Sequence, residues 1–390
     1  MTTIVLKKGR AKPAWYGHPW IFSEAIARVD GPLEPGDEVR VVDDAGRCLG
    51  RGFANPRSQI RVRLATRRDE PLDGAWLARR LVAARELRVR IGLPSDATSA
   101  YRLVNSEGDH LPGLIVDVYG DALVVQTTTY AMKRREAEIV AALDTLMKPR
   151  SIYEAAAGGV AKLEGFESEA HQLAGEARTR VACRERGFQL EVEPLAGQKT
   201  GAYLDQRENR AFVEGIASGA RVLDLYSYAG GFAMSAIRGG ARSVTAVDVS
   251  PRALERAAAH FAMNGLAAPE LVESDVFHWL ESAPAGAFDL VICDPPKFAR
   301  ARKDLEPALK GYRRLNALAM ATLAPGGILC TSSCSQLVGA EEFERAIAGG
   351  AHDAHRRAQL VHLSGQPSDH VVPVAFPEGR YLKFAVCRVE

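Results

Sequence analysis

From Gly187 onward, short apolar stretches alternate with stretches of helical period, and no other feature restricts the fold as much. Strands are predicted at Val222–Leu225, Ser243–Val247, Leu271–Glu273, Phe288–Cys293 and Gly327–Thr331. Phe188–Val192 is predicted as an earlier strand and Asp205–Ser218 as a helix. Such alternation over about 200 residues gives a parallel sheet with helices on both faces, since each crossover must carry the chain back across a face. Gln359–Leu363 and Leu382–Cys387 follow with no helix between them, which predicts a final antiparallel pair. The fold class is α/β, with a doubly wound sheet.

Asp224 closes the first of these strands, and Tyr226-Ser227-Tyr228-Ala229-Gly230-Gly231-Phe232 follows. Glycines between a strand end and a helix start let a ligand approach the backbone. The loop lacks the G-x-G-x-x-G spacing of a nicotinamide site, and its acid would repel a pyrophosphate. A ligand carrying an ammonium and a sulfonium, such as S-adenosylmethionine, suits it better, with Tyr226, Ser227, Gly230 and Phe232 as candidate contacts. Asp248 ends the next strand, where a carboxylate accepts from ribose hydroxyls. Asp275 follows the third, placed to accept from an adenine amino group. Asp294 follows the fourth, in Asp294-Pro295-Pro296-Lys297. One such acid is as readily a helix cap; four at consecutive strand ends mark the side where open α/β sheets bind ligands. The prolines stiffen their segment and remove two donors, leaving Asp294 and carbonyls to hold a planar base. Cys334, in Thr331-Ser332-Ser333-Cys334-Ser335, follows the fifth strand on the same side, and a thiolate there is a candidate nucleophile. Cys293, Cys330 and Cys387 lie inside apolar strands and read as buried small hydrophobes.

The first 190 residues are less regular. Residues 1–70 read as a small β unit, with strands after Gly36, at Cys48–Phe53 and at Gln59–Leu64. The last alternates apolar residues with Arg61 and Arg63, which predicts one core face and one basic face. Residues 71–92 have helical spacing, Tyr101–Thr127 is strand-rich and Met132–Met147 is predicted as one helix. Ala155–Arg186 carries no clear pattern. The formal charge of +2 hides an asymmetry: residues 1–100 hold 18 Lys/Arg and 12 Asp/Glu, a net of +6, and the remainder 32 and 36, a net of −4. A basic end suits a polyanionic partner. No apolar run reaches about 18 residues, so no membrane span is expected. Met1–Arg10 has no signal-peptide core. Six cysteines without a CxxC pair predict neither disulfides nor a metal site, and a cytoplasmic setting.

Several segments occur in a telling order: Leu6–Arg10, Gly17–Phe22, Asn55–Ile60, Tyr101–Asn105, Gly108–Asp117, Gln198–Arg207, the Asp224 loop, Asp294–Phe298 and Ser333–Ser335. In that combination nearly the full chain resembles the PUA-domain ribosomal RNA large subunit methyltransferase I family, class I S-adenosylmethionine-dependent enzymes that make 5-methylcytosine. The resemblance implies a PUA RNA-binding barrel over 1–70 and a central mixed α/β domain over 71–190. It implies a Rossmann-like, seven-stranded methyltransferase domain over 191–390. It also implies large-subunit rRNA as the partner and no membrane association; a homodimer is left open. Cys334 would attack cytosine C6 while Asp294 holds the ring at N3 and the amino group. Lys199, Gln206, Arg207 and Lys297 fall on the substrate side, as pocket gates or RNA contacts.

Many RNA 5-methylcytosine enzymes carry a second cysteine after the proline of the fourth-strand motif. Here Lys297 stands there, so a single-cysteine mechanism is expected. A methyltransferase for an exocyclic amine is the first rival, but such sites place an aromatic where Lys297 stands. A dinucleotide oxidoreductase lacks support in the missing glycine fingerprint. A non-catalytic ribosome-assembly protein would not need the pocket acids and Cys334.

Overall fold

The computed structural model describes residues 1–196, 200–299 and 301–390. The chain divides into two compact units, Met1–Leu204 with Ser368–Gly379, and Asp205–Pro367 with Arg380–Glu390.

The second unit is built on a seven-stranded sheet. Its spatial order is Glu270–Glu273, Ser243–Asp248, Arg221–Leu225, Phe288–Cys293, Leu323–Ser333, Lys383–Val389 and Ala358–Ser364. The first five run parallel. Lys383–Val389 runs antiparallel to both neighbours. Leu223, Leu225, Val291, Cys293 and Leu329 are fully buried, since helices cover both faces of the sheet. The helix Leu305–Thr322 contributes Tyr312, Leu315 and Ala319 to this core, and Ala340–Asp353 contributes Phe343 and Ile347. Of the last two strands, the later one takes the interior place. Lys383–Val389 is buried at every position but Arg388, whereas Ala358–Ser364 exposes Leu360, Val361 and Leu363 and lies at the edge. The helix predicted from Asp205 begins as a tight turn, Leu204–Gln206, and becomes α-helical over Arg207–Ile216.

The first unit holds a six-stranded sheet from Thr2–Leu6, Trp20–Phe22, Ile26–Asp30, Asp37–Val42, Cys48–Ala54 and Ile60–Thr66. A five-stranded sheet follows, from Ala100–Asn105, Leu114–Tyr119, Ala122–Thr127, Ser151–Glu154 and His171–Gly175. Val181–Glu185 and Phe188–Val192 form a hairpin. The single helix expected over Met132–Met147 is two, Tyr130–Arg134 and Glu136–Met147. The break falls at Arg135 (φ −102°, ψ 13°), whose guanidinium is held by Glu138 at 2.7 Å and lies over the Trp76 ring at 5.4 Å. The patternless stretch after Ala155 contains the helix Gly159–Glu164 and two of the strands above.

The basic face expected on Gln59–Leu64 is turned to acids of the same unit at Arg63. Arg63 bridges Glu107 at 3.1 Å and Glu164 at 3.4 Å, and Arg61 donates to the Pro56 carbonyl. The acids that neutralise Arg63 lie far along the chain, so the local alternation carried no sign of them. Gly108–Asp117, one of the segments behind the family resemblance, proves to be an internal lock. Asp109 accepts from Arg88 at 2.5 and 2.9 Å, with side chains 3% and 0% exposed. Arg88 also donates to the Asp369 carbonyl at 2.6 Å, tying residues 368–379 into this unit. A Cβ at Gly108 would meet the Val371 carbonyl oxygen at 1.9 Å, so only glycine fits there. Among the described residues no helix is long and apolar enough to cross a membrane.

Arg88→Met leaves the buried Asp109 carboxylate without its partner. Denaturant unfolding of this unit should show a loss of about 3–5 kcal/mol, and the double variant Arg88→Met/Asp109→Leu a smaller one. Equal losses in the two variants would show that the charge pair is not what holds the segment.

Candidate active site

The strand Arg221–Leu225 delivers Asp224 to the sheet's interior, and the helix Gly231–Arg238 begins just beyond. One carboxylate oxygen of Asp224 accepts from the Ala233 amide at 3.0 Å, which fastens the helix start to the strand end. The other, Oδ1, is buried with no hydrogen-bond partner among the described residues, as is the Ser227 hydroxyl. Burial above all, with the charges of Asp294 and Asp248 adding to it, raises the Asp224 carboxyl to about 8. The connecting loop is strained: Tyr226 (φ 62°) and Tyr228 (φ 49°) both sit in the left-handed region, beside Gly230 (φ 79°). A Cβ at Gly230 would press to 3.0 Å from Phe261 and 3.2 Å from Ala257. Two bulky left-handed residues cost of order 1–3 kcal/mol each, and such strain concentrates at ligand loops. It was not visible in the sequence, where only the glycines announce a turn.

The other acids have local duties. Asp248 accepts from the amides of Tyr228 at 2.8 Å and Ser250 at 2.9 Å, which shapes the same loop. Asp275 is exposed and caps the helix Val276–Ser282 by accepting from His278 at 3.0 Å. Asp294 is half-buried beside the central strand; its amide donates to the Leu225 carbonyl at 3.4 Å, and its Oδ1 accepts from Gln206 at 2.8 Å.

Gln206 is nearly fully buried and links three elements. Its Nε2 also reaches the Ser332 hydroxyl at 3.3 Å, and its oxygen accepts from Asn209 at 2.6 Å. Asp294 and the end of the strand Leu323–Ser333 are therefore joined through one amide, which brings Asp294 and Cys334 to the same part of the sheet edge. Cys334 is half-exposed between Ser333 and Ser335, which are fully buried. The Ser333 hydroxyl donates to the Tyr312 hydroxyl at 3.0 Å, and Ser335 to the Ala299 carbonyl at 3.2 Å. Anchored neighbours hold the thiol in place while leaving it reachable. Burial pushes the Cys293 and Cys330 thiols well above their usual range, which keeps them inert, as their place in apolar strands implied.

Comparison with known proteins gives this site its context. Residues 4–67 match the PUA-like domain family, and residues 157–367 match the family of S-adenosylmethionine-dependent methyltransferases. A protein named ribosomal RNA large subunit methyltransferase I from Klebsiella pneumoniae shares 40% identity, over 99% of this chain and 98% of its own length. For the protein of the same name from Photobacterium profundum the identity is 40%, with both chains covered in full. The chain belongs to the ribosomal RNA large subunit methyltransferase I family. A methyltransferase solved as its complex with SAH superposes with a TM-score of 0.87, and one from Streptococcus mutans with 0.85, each 25% identical over the full length of both chains.

This family member is thus an S-adenosylmethionine-dependent methyltransferase with the expected α/β sheet and antiparallel last pair. The unpartnered Asp224 Oδ1 and Ser227 hydroxyl suit a polar, cationic ligand at the loop, because an orphaned buried oxygen costs about 1–3 kcal/mol until something bonds to it. Of the substrate-side residues, Gln206 and Arg207 are buried within the unit, and Gln206 serves Asp294. Lys297 is exposed just past the prolines. Lys199 lies outside the described residues. Sequence reasoning missed Tyr312, and also Lys383, whose ammonium donates to the Ser335 carbonyl at 2.6 Å. A buried lysine at the start of an apolar strand was the available signal.

Below about pH 8 Asp224 holds a proton in the free pocket. A cation bound nearby favours the carboxylate, so S-adenosylmethionine binding should release a proton near pH 7 and tighten as pH rises toward about 8. Calorimetry in buffers of different ionisation enthalpy reads this directly. Asp224→Asn should lose both the proton release and the pH dependence; a heat independent of buffer in the parent protein would overturn the assignment.

Proposed function

We propose that this chain makes 5-methylcytosine in large-subunit ribosomal RNA, in the cytoplasm, through a covalent adduct between Cys334 and cytosine C6. The observation that carries this reading is the half-exposed Cys334 between two buried, hydrogen-bonded serines, joined to Asp294 through Gln206. We further propose a division into an RNA-binding PUA domain over 1–70, a central domain over 71–190 and the methyltransferase domain over 191–390. In the last, Asp224, Tyr226, Ser227, Gly230, Phe232, Asp248, Asp275 and Asp294 form the cofactor site. S-adenosylmethionine, when bound there, supplies an electrophilic methyl group.

Cytosine C5 is a poor nucleophile while the ring is aromatic. Addition of the Cys334 thiolate to C6 breaks the aromaticity and makes an electron pair available at C5. Asp294, at N3 and the amino group, favours protonation of N3 as the adduct forms. C5 takes the methyl group; loss of the C5 proton to a base then breaks the C6–S bond and returns the thiolate. The cytosine must be unstacked, since C6 is shielded inside a helix. Phe298 packs on Tyr312 at 4.7 Å between ring centres, which occupies it within the protein and argues against the stacking aromatic of an exocyclic-amine site.

Cys334→Ala should lower methyl transfer to rRNA by about a thousandfold or more while S-adenosylmethionine binding persists. RNA carrying 5-fluorocytidine should trap an adduct on the Cys334 peptide, because fluorine cannot leave as the proton does. Undiminished transfer by Cys334→Ala would end the nucleophile assignment, and bisulfite mapping of rRNA made with and without the protein identifies the cytosine.

Lys7, Lys8 and Arg10 are exposed at the basic end of the chain. If they contact RNA phosphates, replacing all three with Ala should reduce the slope of log affinity against log salt by about 2. An unchanged slope places the phosphate contacts elsewhere.

A further inference from the structure

The strand Lys383–Val389 sets Lys383 opposite Ser333, the residue before Cys334. The Lys383 Nζ donates to the carbonyl of Ser335, the residue after Cys334, at 2.6 Å, and to the Tyr381 carbonyl at 2.9 Å. Lys383 is thus tied to both ends of the three-residue segment that carries the thiol, its backbone by cross-strand register to Ser333 and its amine by hydrogen bond to Ser335. Lys383 is 7% exposed. A lysine buried so far loses much of its hydration, and two carbonyl acceptors offset only part of that cost. An apolar side chain would serve the strand better, so the cation at this place calls for a role.

Titratable groups near the pair include Lys297, Glu342, Tyr312 and Asp294. Burial lowers the Lys383 pKa to about 8; Cys334 and Glu342 oppose the shift and Lys297 adds to it. Tyr312, which also senses Cys334, is pushed up to about 12 by burial and stays neutral. Asp205 accepts from the Tyr381 hydroxyl at 2.8 Å. Glu342 accepts from the Gly339 amide at 2.8 Å, at the start of its own helix.

We propose that Lys383 is the positioning cation of the nucleophile: its ammonium holds the Cys334 segment by the Ser335 carbonyl and stabilises the Cys334 sulfur as thiolate. The thiol proton goes to solvent and Lys383 keeps its own, so the lysine touches no reacting atom of the base. The inference deepens the reading of Cys334 as the nucleophile and rests on it.

The test is the rate of Cys334 alkylation by iodoacetamide in the full chain, read by peptide mass spectrometry between about pH 6 and pH 9, where only the thiolate reacts. Lys383→Gln keeps an amide donor for the carbonyls and removes the charge; Lys383→Arg keeps the charge. With S-adenosylmethionine binding as the check on folding, Lys383→Gln should react about tenfold more slowly near pH 6.5, its profile displaced upward by about one pH unit. Lys383→Arg should stay within about threefold of the parent. Superimposable profiles for the parent and Lys383→Gln overturn the proposal. Should Lys383→Gln fail to bind S-adenosylmethionine, the parent decides: a midpoint at or above the ordinary thiol value of about 8.5 overturns it. Alkylation needs no methyl transfer, so the two readings fail separately. If Cys334→Ala still methylates rRNA while Lys383→Gln shifts the profile, the catalytic role of Cys334 falls and the ammonium–thiolate pairing stands.

Discussion

The antiparallel pairing of Lys383–Val389 with Leu323–Ser333 is the interaction on which the candidate site hangs. It flanks the strand that ends at Ser333, just before Cys334, and it places Lys383 across from Ser333. A slip of one residue would turn Lys383 to the other face of the sheet and part it from Ser335. The pairing is strongly specified, because the strand is buried at every position but Arg388 and has neighbours on both sides. The residues flanking Cys334 are therefore anchored in the core. Ser333 bonds to Tyr312 of the helix Leu305–Thr322, so the same core reaches the thiol from the helical layer as well.

The acids at the strand ends are engaged in different ways. Asp248 spends its oxygens on two backbone amides, and Asp275 caps a helix. One oxygen of Asp224 fastens a helix, and the other has no partner among the described residues, beside a loop held in strained geometry. This explains why a carboxylate so deeply buried is tolerated. Burial favours its neutral form, and a cation placed beside it would favour the carboxylate. Asp294 is held differently, by the amide of Gln206, which keeps it on the side of the sheet edge where Cys334 lies.

The strand–helix alternation was legible because the inner strands are buried on both faces and so read as apolar runs. Cys334 was legible because its hydroxyl neighbours set it apart from Cys293, Cys330 and Cys387. The helix break at Arg135 was not, since Trp76 and Phe53, over whose rings it lies, come from elsewhere in the chain. Nor was the fate of Arg63, whose Glu107 and Glu164 partners turn an apparent basic face into an internal ion cluster. The charge asymmetry of the first hundred residues is thus an upper bound on the positive surface available to RNA, because Arg63 and Arg88 are already committed inside the unit.

By itself the sequence determined the α/β class and singled out the strand-end acids, the Gly230 loop and Cys334 as candidates, because each is written in the period or order of neighbouring residues. The tertiary structure alone decided which of the last two strands lies inside the sheet, that Gln206 donates to Asp294, and that Lys383 stands across from Ser333 and bonds to the Ser335 carbonyl. These are pairings between residues far apart along the chain, set by strand register and burial, and no local pattern encodes a register.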